Sequence, residues 1–296
     1  PGRNRLLRRW TRHRLMRTQD VAIVLFAYNR PDKVRQTLVS LRGALSTLVS
    51  SAPSAANMPI VVALDGPRSN DPDRRAVRNV ELVVRAQLPT AEIERQTVNR
   101  GLPALLLETL DSLFGRREIR RAICVEDDVQ LSETSLLALL RASESLGDKA
   151  HVIGAAPLHA DGSVEHQTLL LNAAAHEACR SFLAGYIDRF SLDGAQHEGA
   201  YGSRDHEAIK EWSAQVAARA KVPVPGGTSQ DRMRELAWKI AGVRLCGLPV
   251  RVVRHRGFWG QHNTPWYALR TGQLWQRLDR RPWPEIEREV REAFAR

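Results

Sequence analysis

Three consecutive carboxylates, Glu126-Asp127-Asp128, stand where the apolar run Ala122-Ile123-Cys124-Val125 breaks off. A run of that kind reads as a buried strand. Ser132 and Glu133 then open a helical pattern, so the acids sit between a core strand and a helix. In open α/β sheets that edge is where ligands bind. Neighbouring carboxylates repel and are costly to desolvate unless something positive holds them. A divalent cation carried by a diphosphate would do so. Solvated loop acids favouring the N-terminus of the following helix account for the triplet equally well, so the rest of the chain has to decide.

The elements that would position these acids begin with Val21 to Tyr28, an almost unbroken apolar strand of the type buried in a parallel sheet. Asn29-Arg30-Pro31-Asp32 ends it, and Pro31 suits the first turn of a helix. A second strand, Pro59 to Leu64, stops at Asp65-Gly66-Pro67. Asp71 to Ala86 reads as a helix, Ala91 to Val98 as a third strand, and Asn99-Arg100-Gly101 precedes a helix reaching Phe114. The strand before the acidic triplet is fourth, and His151 to Ala156 is a fifth. Strand, turn and helix thus alternate four times, which predicts a mostly parallel sheet with helices on both faces. Right-handed crossovers bring the polar turns to one rim. Residues 157–202 read as loop-rich, with several histidines. Ser229-Gln230-Asp231 reads as the start of a helix, RMRELAWKIAG, Gly247 to His255 as a late strand, and the last residues as a charged amphipathic helix.

The chain has 296 residues, enough for one large domain with appendages. No apolar run reaches the roughly 18 residues of a membrane span, and no secretory signal is evident at the start. Three scattered cysteines predict free thiols in a reducing compartment, hence a cytoplasmic location. The net charge is +11, and the first 19 residues hold seven arginines and no acid. This basic arm, with Leu6, Leu7, Trp10, Leu15 and Met16 among its arginines, suits either a helix lying on anionic lipid at the inner membrane face or one docked on the domain. No nucleic-acid-binding module follows it.

Several motifs together resemble glycosyltransferases of the GT-A fold, nearest to bacterial family-2-like enzymes and more faintly to N-acetylglucosaminyltransferase I. They are FAYNRPD at the end of the first strand, ALDG at the second, NRGL before the third helix, and VEDDV as an acidic metal motif. GAYGSR, SQDRM and RGFWGQHNT follow in the second half, so the resemblance runs from Val21 to Thr264. Two departures, Gln230 and Arg232 beside Asp231 and Tyr201 in place of a tryptophan, fall in the acceptor half. The resemblance divides the chain into the arm (1–19), a nucleotide-sugar-binding half (20–156), an acceptor-binding and catalytic half (157–264) and a helical tail (265–296).

The resemblance implies a metal-dependent, inverting transfer of a hexosyl or N-acetylhexosaminyl group from a UDP-sugar to a glycan, lipid-linked or small-molecule acceptor. Asp128 and His262 would contact Mn²⁺ or Mg²⁺, with a histidine favouring Mn²⁺. Glu126 and Asp127 would hold the ribose or metal-bound waters. The backbone at Ala27 and the side chains of Tyr28, Asn29 and Arg30 would face the base and phosphates. Asp65 would accept a hydrogen bond from the base, and Asn99, Arg100 and Gly101 would form a close turn beside the diphosphate. Asp231, an isolated acid at a late helix start, would take the acceptor hydroxyl's proton. Turn chemistry explains Asn99, Asp65 and Gly101 without any ligand, and a first-turn acid explains Asp231. His255, at a strand end, reads as structural.

Two other classes stay open. A nucleotidyltransferase of related topology lacks the glycine-rich, lysine-bearing phosphate loop after the first strand. A non-enzymatic binder would use the arm and exposed tryptophans against a membrane or an acidic polymer.

Overall fold

The computed structural model describes residues 20–68, 70–116, 119–190, 203–224, 226–256 and 275–295. The basic arm, the 199–202 part of GAYGSR, and residues 257–264 with His262 lie outside the described residues.

Strand β1 (Val21–Ala27) is buried along its whole length. Alternate residues serve opposite faces, as a pleated strand requires. Val21, Ile23, Leu25 and Ala27 enter one core, and Ala22, Val24 and Phe26 enter the other. Helix α1 (Pro31–Ser51) follows with Pro31 in its first turn, then a short 3₁₀ turn, Pro53–Asn57. Next come β2 (Ile60–Leu64), α2 (Asp71–Gln87), β3 (Glu92–Arg95) and α3 (Gly101–Arg116). β4 (Arg121–Glu126) ends in the acidic triplet.

The helix expected straight after the acids is preceded by a short strand, β5 (Val129–Leu131), and begins at α4 (Ser135–Leu146). β6 (His151–Gly154) completes the first half. The stretch read as loop-rich holds β7 (Thr168–Asn172) and the long helix α5 (Ala173–Phe190). The helix was hidden because its buried side is built largely from small or polar residues, Ala175, His176 and Cys179, beside Tyr186 and Ile187. α6 (Ser203–Ala220) and α7 (Gln230–Ile240) follow. The late strand is in fact two, β8 (Arg244–Gly247) and β9 (Val253–His255). Leu248 and Val252 between them are buried and lie outside the strands, though their N–H groups donate to Gly154 O and Ala155 O, and Pro249 in that stretch has no N–H for a ladder. Helix α8 (Trp283–Phe294) packs on α4.

The main sheet has the order β3-β2-β1-β4-β7-β6-β8. Only β7 runs against its neighbours; the other pairings are parallel. The expected mixed α/β architecture, a mostly parallel sheet flanked by helices, is therefore what the chain forms. Strands from both sides of residue 156 share this one sheet. Residues of α1, α2, α4 and α8 fill the core on one face, and those of α3, α5 and α7 fill the other. A separate antiparallel pair, β5 with β9, lies beside the acidic turn. All three cysteines are buried and unpaired. Among the described residues no helix is long and apolar enough to cross a membrane.

Candidate active site

Parallel β1, β2 and β4 bring Tyr28-Asn29-Arg30, Asp65 and Glu126-Asp127-Asp128 to one edge of the sheet. The acidic turn is gripped from below by α1. Thr37, fully buried, lies 2.9 Å from both Asp127 O and Val129 O, and its hydroxyl oxygen accepts from Val129 N–H at 3.1 Å. Arg30 closes the turn from the side. Its Nη1 donates to Asp128 Oδ2 at 2.9 Å and its Nη2 donates to Asp127 Oδ1. The guanidinium therefore neutralises the acids directly. Tyr28 Oη and Asn29 Nδ2 donate to Asp73 at 2.5 and 2.6 Å, and Asp73 Oδ2 also accepts from Arg68 N–H at 2.6 Å. Burial and Asp73 together raise the Tyr28 phenol well above its ordinary range. Asp73, in the first turn of α2, thus organises the first strand's loop. The sequence offered no signal for that beyond a helix-start acid.

Asp65 is saturated. Its Oδ1 accepts from Gly66 N (2.8 Å) and Arg100 N (2.7 Å), and its Oδ2 from Asn99 Nδ2 (2.9 Å) and Gly101 N (3.0 Å). A carboxylate has about four acceptor positions, so none is left at Asp65 for the base N–H it was expected to accept. Asp65 instead ties the end of β2 to the start of α3. Gly101 there has φ +73°, a conformation glycine adopts freely. Gly66 admits no side chain, since a Cβ would lie 2.3 Å from the Val98 backbone. The Arg100 guanidinium reaches Glu108 at 2.5 Å on the next turns of α3, away from the role expected beside a diphosphate. Ala27 gives its carbonyl to Asp65 N–H at 2.9 Å.

Among the described residues, the histidine beside Asp128 is His255. Register places His255 opposite Val129 in the β5–β9 pair, and its Nε2 lies 3.4 Å from Asp128 Oδ2. Arg256 N–H also donates to Asp128 O at 2.7 Å. The structural reading of His255 is corrected accordingly: it touches the acid that His262 was expected to serve. A pairing across more than a hundred residues left no trace in local sequence. Burial alone would raise all three acids. It does raise Glu126, helped by nearby Asp231 and Asp128, and it raises Asp127, helped by Asp128 and opposed by Arg30. At Asp128 burial is outweighed by His255 and Arg30, which hold that carboxyl below its usual range.

Asp231 stands in the first turn of α7, where Ser229 is the capping residue and accepts from Arg232 N–H. Asp231 is therefore not the cap. Its Oδ1 is buried without a hydrogen-bond partner, and so is Asp128 Oδ1. Asp127 Oδ2 lacks one as well; buried carboxylate oxygens normally find partners, and three without a hydrogen bond near one strand end offer places for a ligand's groups. Among the described residues no three His, Cys, Asp or Glu side chains form a metal cage. Mg²⁺ and similar ions are often held by one or two carboxylates plus substrate phosphates, and the bare Asp128 Oδ1 fits that sparser arrangement.

No protein-family profile and no curated protein matches the chain. Among solved structures it is similar to glucosyl-3-phosphoglycerate synthase from Mycobacterium tuberculosis in complex with Mn²⁺, UDP and phosphoglyceric acid. The identity is 14%, the TM-score 0.37, and the match covers 59% of this chain and 66% of that one. S. aureus TarS 1-349 in complex with UDP-GlcNAc matches at 17% identity and TM-score 0.33, over 47% of this chain and 34% of that one. The galactosyltransferase LgtC, in complex with donor and acceptor sugar analogs, matches at 14% identity and TM-score 0.42, over 89% and 99%. The chain thus spans less than two thirds of the length of the first two. Superpositions at this level carry no residue correspondence, and the functional assignment rests on the chain's own side chains.

Proposed function

We propose that the chain is a GT-A glycosyltransferase that moves a sugar from a nucleoside-diphosphate sugar, with UDP as nucleotide, to an acceptor hydroxyl with inversion. The observation that carries this is the set of buried carboxylate oxygens without a hydrogen bond on Asp127, Asp128 and Asp231, placed around Glu126 at the end of β4. Asp128 would hold Mn²⁺ or Mg²⁺, with His255 behind its other oxygen. A bound divalent ion supplies Lewis-acid stabilisation of the departing diphosphate. Asp231 would accept the acceptor hydroxyl's proton as that oxygen attacks the anomeric carbon. Glu126, whose protonated form burial favours, can donate a hydrogen bond to a ribose or sugar oxygen. Tyr28 and Asn29, fixed by Asp73, would wall the nucleoside.

The test is thermal shift and calorimetry with UDP, with and without Mn²⁺, followed by UDP release from a panel of UDP-sugars. Stabilisation by UDP only with the metal, lost in Asp128→Asn, is expected. Asp231→Asn should bind UDP and Mn²⁺ as the parent does yet release no UDP. Binding of UDP undiminished by chelation, or full turnover in Asp231→Asn, would overturn the assignment.

A further inference from the structure

Behind Asp231 lies a buried histidine that the roles above do not use. His166 Nε2 is 3.2 Å from Glu235 Oε1, and its Nδ1 is 3.7 Å from Asp231 Oδ1. The ring is stacked on Trp238, with centroids 5.4 Å apart and planes 6° from parallel. Neither His166 Nδ1 nor Asp231 Oδ1 has a hydrogen-bond partner. We propose that His166 is a positioning residue for Asp231, fixed by Glu235 in the tautomer that turns a bare Nδ1 toward the proton-accepting carboxylate. This rests on the glycosyl-transfer reading given above.

The tautomer follows from the neighbours. Burial would raise the Glu235 carboxyl, but His166 and Arg232, the latter 2.9 Å away, hold it below its usual range. An ionised carboxylate only accepts hydrogen bonds, so Nε2 carries a hydrogen, and in the neutral ring Nδ1 is the nitrogen left with a lone pair. Two acceptors then face one another across 3.7 Å, a separation too long for a hydrogen bond. In the transfer, the acceptor oxygen bonds to the anomeric carbon, and the bond from that carbon to the phosphate oxygen breaks with its electron pair. The acceptor's proton goes to Asp231. Protonated Asp231 can close on Nδ1, so a repulsion becomes a hydrogen bond as the proton arrives. His166 itself makes and breaks no covalent bond. The other charges facing this pair are Arg234, 3.9 Å from Asp231 Oδ1 and stacked over Trp238, Arg232 with Asp161 at 3.3 Å, and Glu126 from β4.

Two variants of the full chain test this. His166→Gln removes Nδ1. Glu235→Gln offers an amide N–H to Nε2, which favours the opposite tautomer. Long-range nitrogen spectra of the imidazoles, with His166 assigned by its loss in His166→Gln, should show hydrogen on Nε2 in the parent and on Nδ1 in Glu235→Gln. With UDP-glucose and UDP-N-acetylglucosamine as probes, both variants should lose about 100-fold in kcat at unchanged donor KM. Hydrogen on Nδ1 in the parent, turnover of His166→Gln within about threefold of the parent, or a kcat loss accompanied by an equal rise in donor KM would each overturn the inference. A parent that releases UDP from neither donor would indict the transferase reading instead. The ring-nitrogen spectra, which need no substrate, would still confirm or overturn the tautomer on which His166's role depends.

Discussion

Replacing Thr37 by valine tests whether α1 really holds the acidic turn. The two side chains have nearly the same shape, so packing is preserved while the hydroxyl is lost. Thr37 is fully buried, and its oxygen is the partner of Val129 N–H at 3.1 Å and lies 2.9 Å from two carbonyls. The variant would leave that N–H orphaned, at about 1–3 kcal/mol, and delete one donated bond worth about 1 kcal/mol. A loss of about 2–4 kcal/mol follows, or a fall of roughly 3–6 °C in melting temperature for a chain of this size. Thr37→Ser, which keeps the hydroxyl, should lose far less. Because the same contacts fix Asp127 and Val129 on either side of Asp128, Mn²⁺-dependent UDP binding should weaken in parallel, read by calorimetry. A Thr37→Val protein as stable as the parent and with undiminished UDP binding would refute the argument that this buried threonine sets the turn.

Asp73→Asn should disturb the first loop without touching the acids. Asp73 accepts from Tyr28, Asn29 and Arg68, and an amide would turn one of those acceptors into a donor. Ultraviolet titration should find the Tyr28 phenol ionising at lower pH than in the parent, since burial remains but the carboxylate's contribution goes. An unmoved Tyr28 titration would sink that account. Glu235 predicts an acid limit. Its folded-state pKa lies below the ordinary 4.5, so the stability it contributes is complete above about that pH and drains away as pH falls through the folded value. Denaturant melts should therefore show the parent losing stability below pH 4.5 more steeply than Glu235→Gln, and identical slopes would refute it.

Much of this layout was legible from sequence because it depends on local alternation. VAIVLFA, IVVAL and RAICVE announce buried parallel strands, and the polar residues just after them had to meet at one edge. What could not be read was which polar residue would satisfy which. Asp65 looked available for a base, but its partners come from the turn 34–36 residues on. The sequence reading gave the metal contact to His262 and left His255 structural, since only the β5–β9 register shows His255 beside Asp128. Thr37 was one more polar residue in an amphipathic helix, and Asp73 one more helix-start acid. β7 was missed because TLLLN stands in a stretch of histidines and turn formers outside the repeated strand–turn–helix pattern, and it runs opposite to every neighbour. His166 lay in what read as loop, and only burial and the stacking on Trp238 mark it.

Arg30 points to how the acidic turn behaves before a donor arrives. The resemblance assigned it to phosphates, yet it is committed to Asp127 and Asp128, and those acids in turn raise its own proton affinity. A guanidinium across two carboxylates satisfies the charge that would otherwise draw in a divalent ion. The turn should then bind Mn²⁺ weakly by itself and well only when a diphosphate supplies further oxygens and a new partner for Arg30. Arg30→Met removes the competitor while keeping much of the side chain's apolar stem. Free Mn²⁺, followed by paramagnetic resonance without nucleotide, should bind Arg30→Met more tightly than the parent. UDP in the presence of Mn²⁺ should bind the variant less tightly, because the guanidinium is no longer there to receive the diphosphate. If Arg30 served only to brace the turn, both affinities would fall together; opposite changes are what competition between a guanidinium and a metal ion requires.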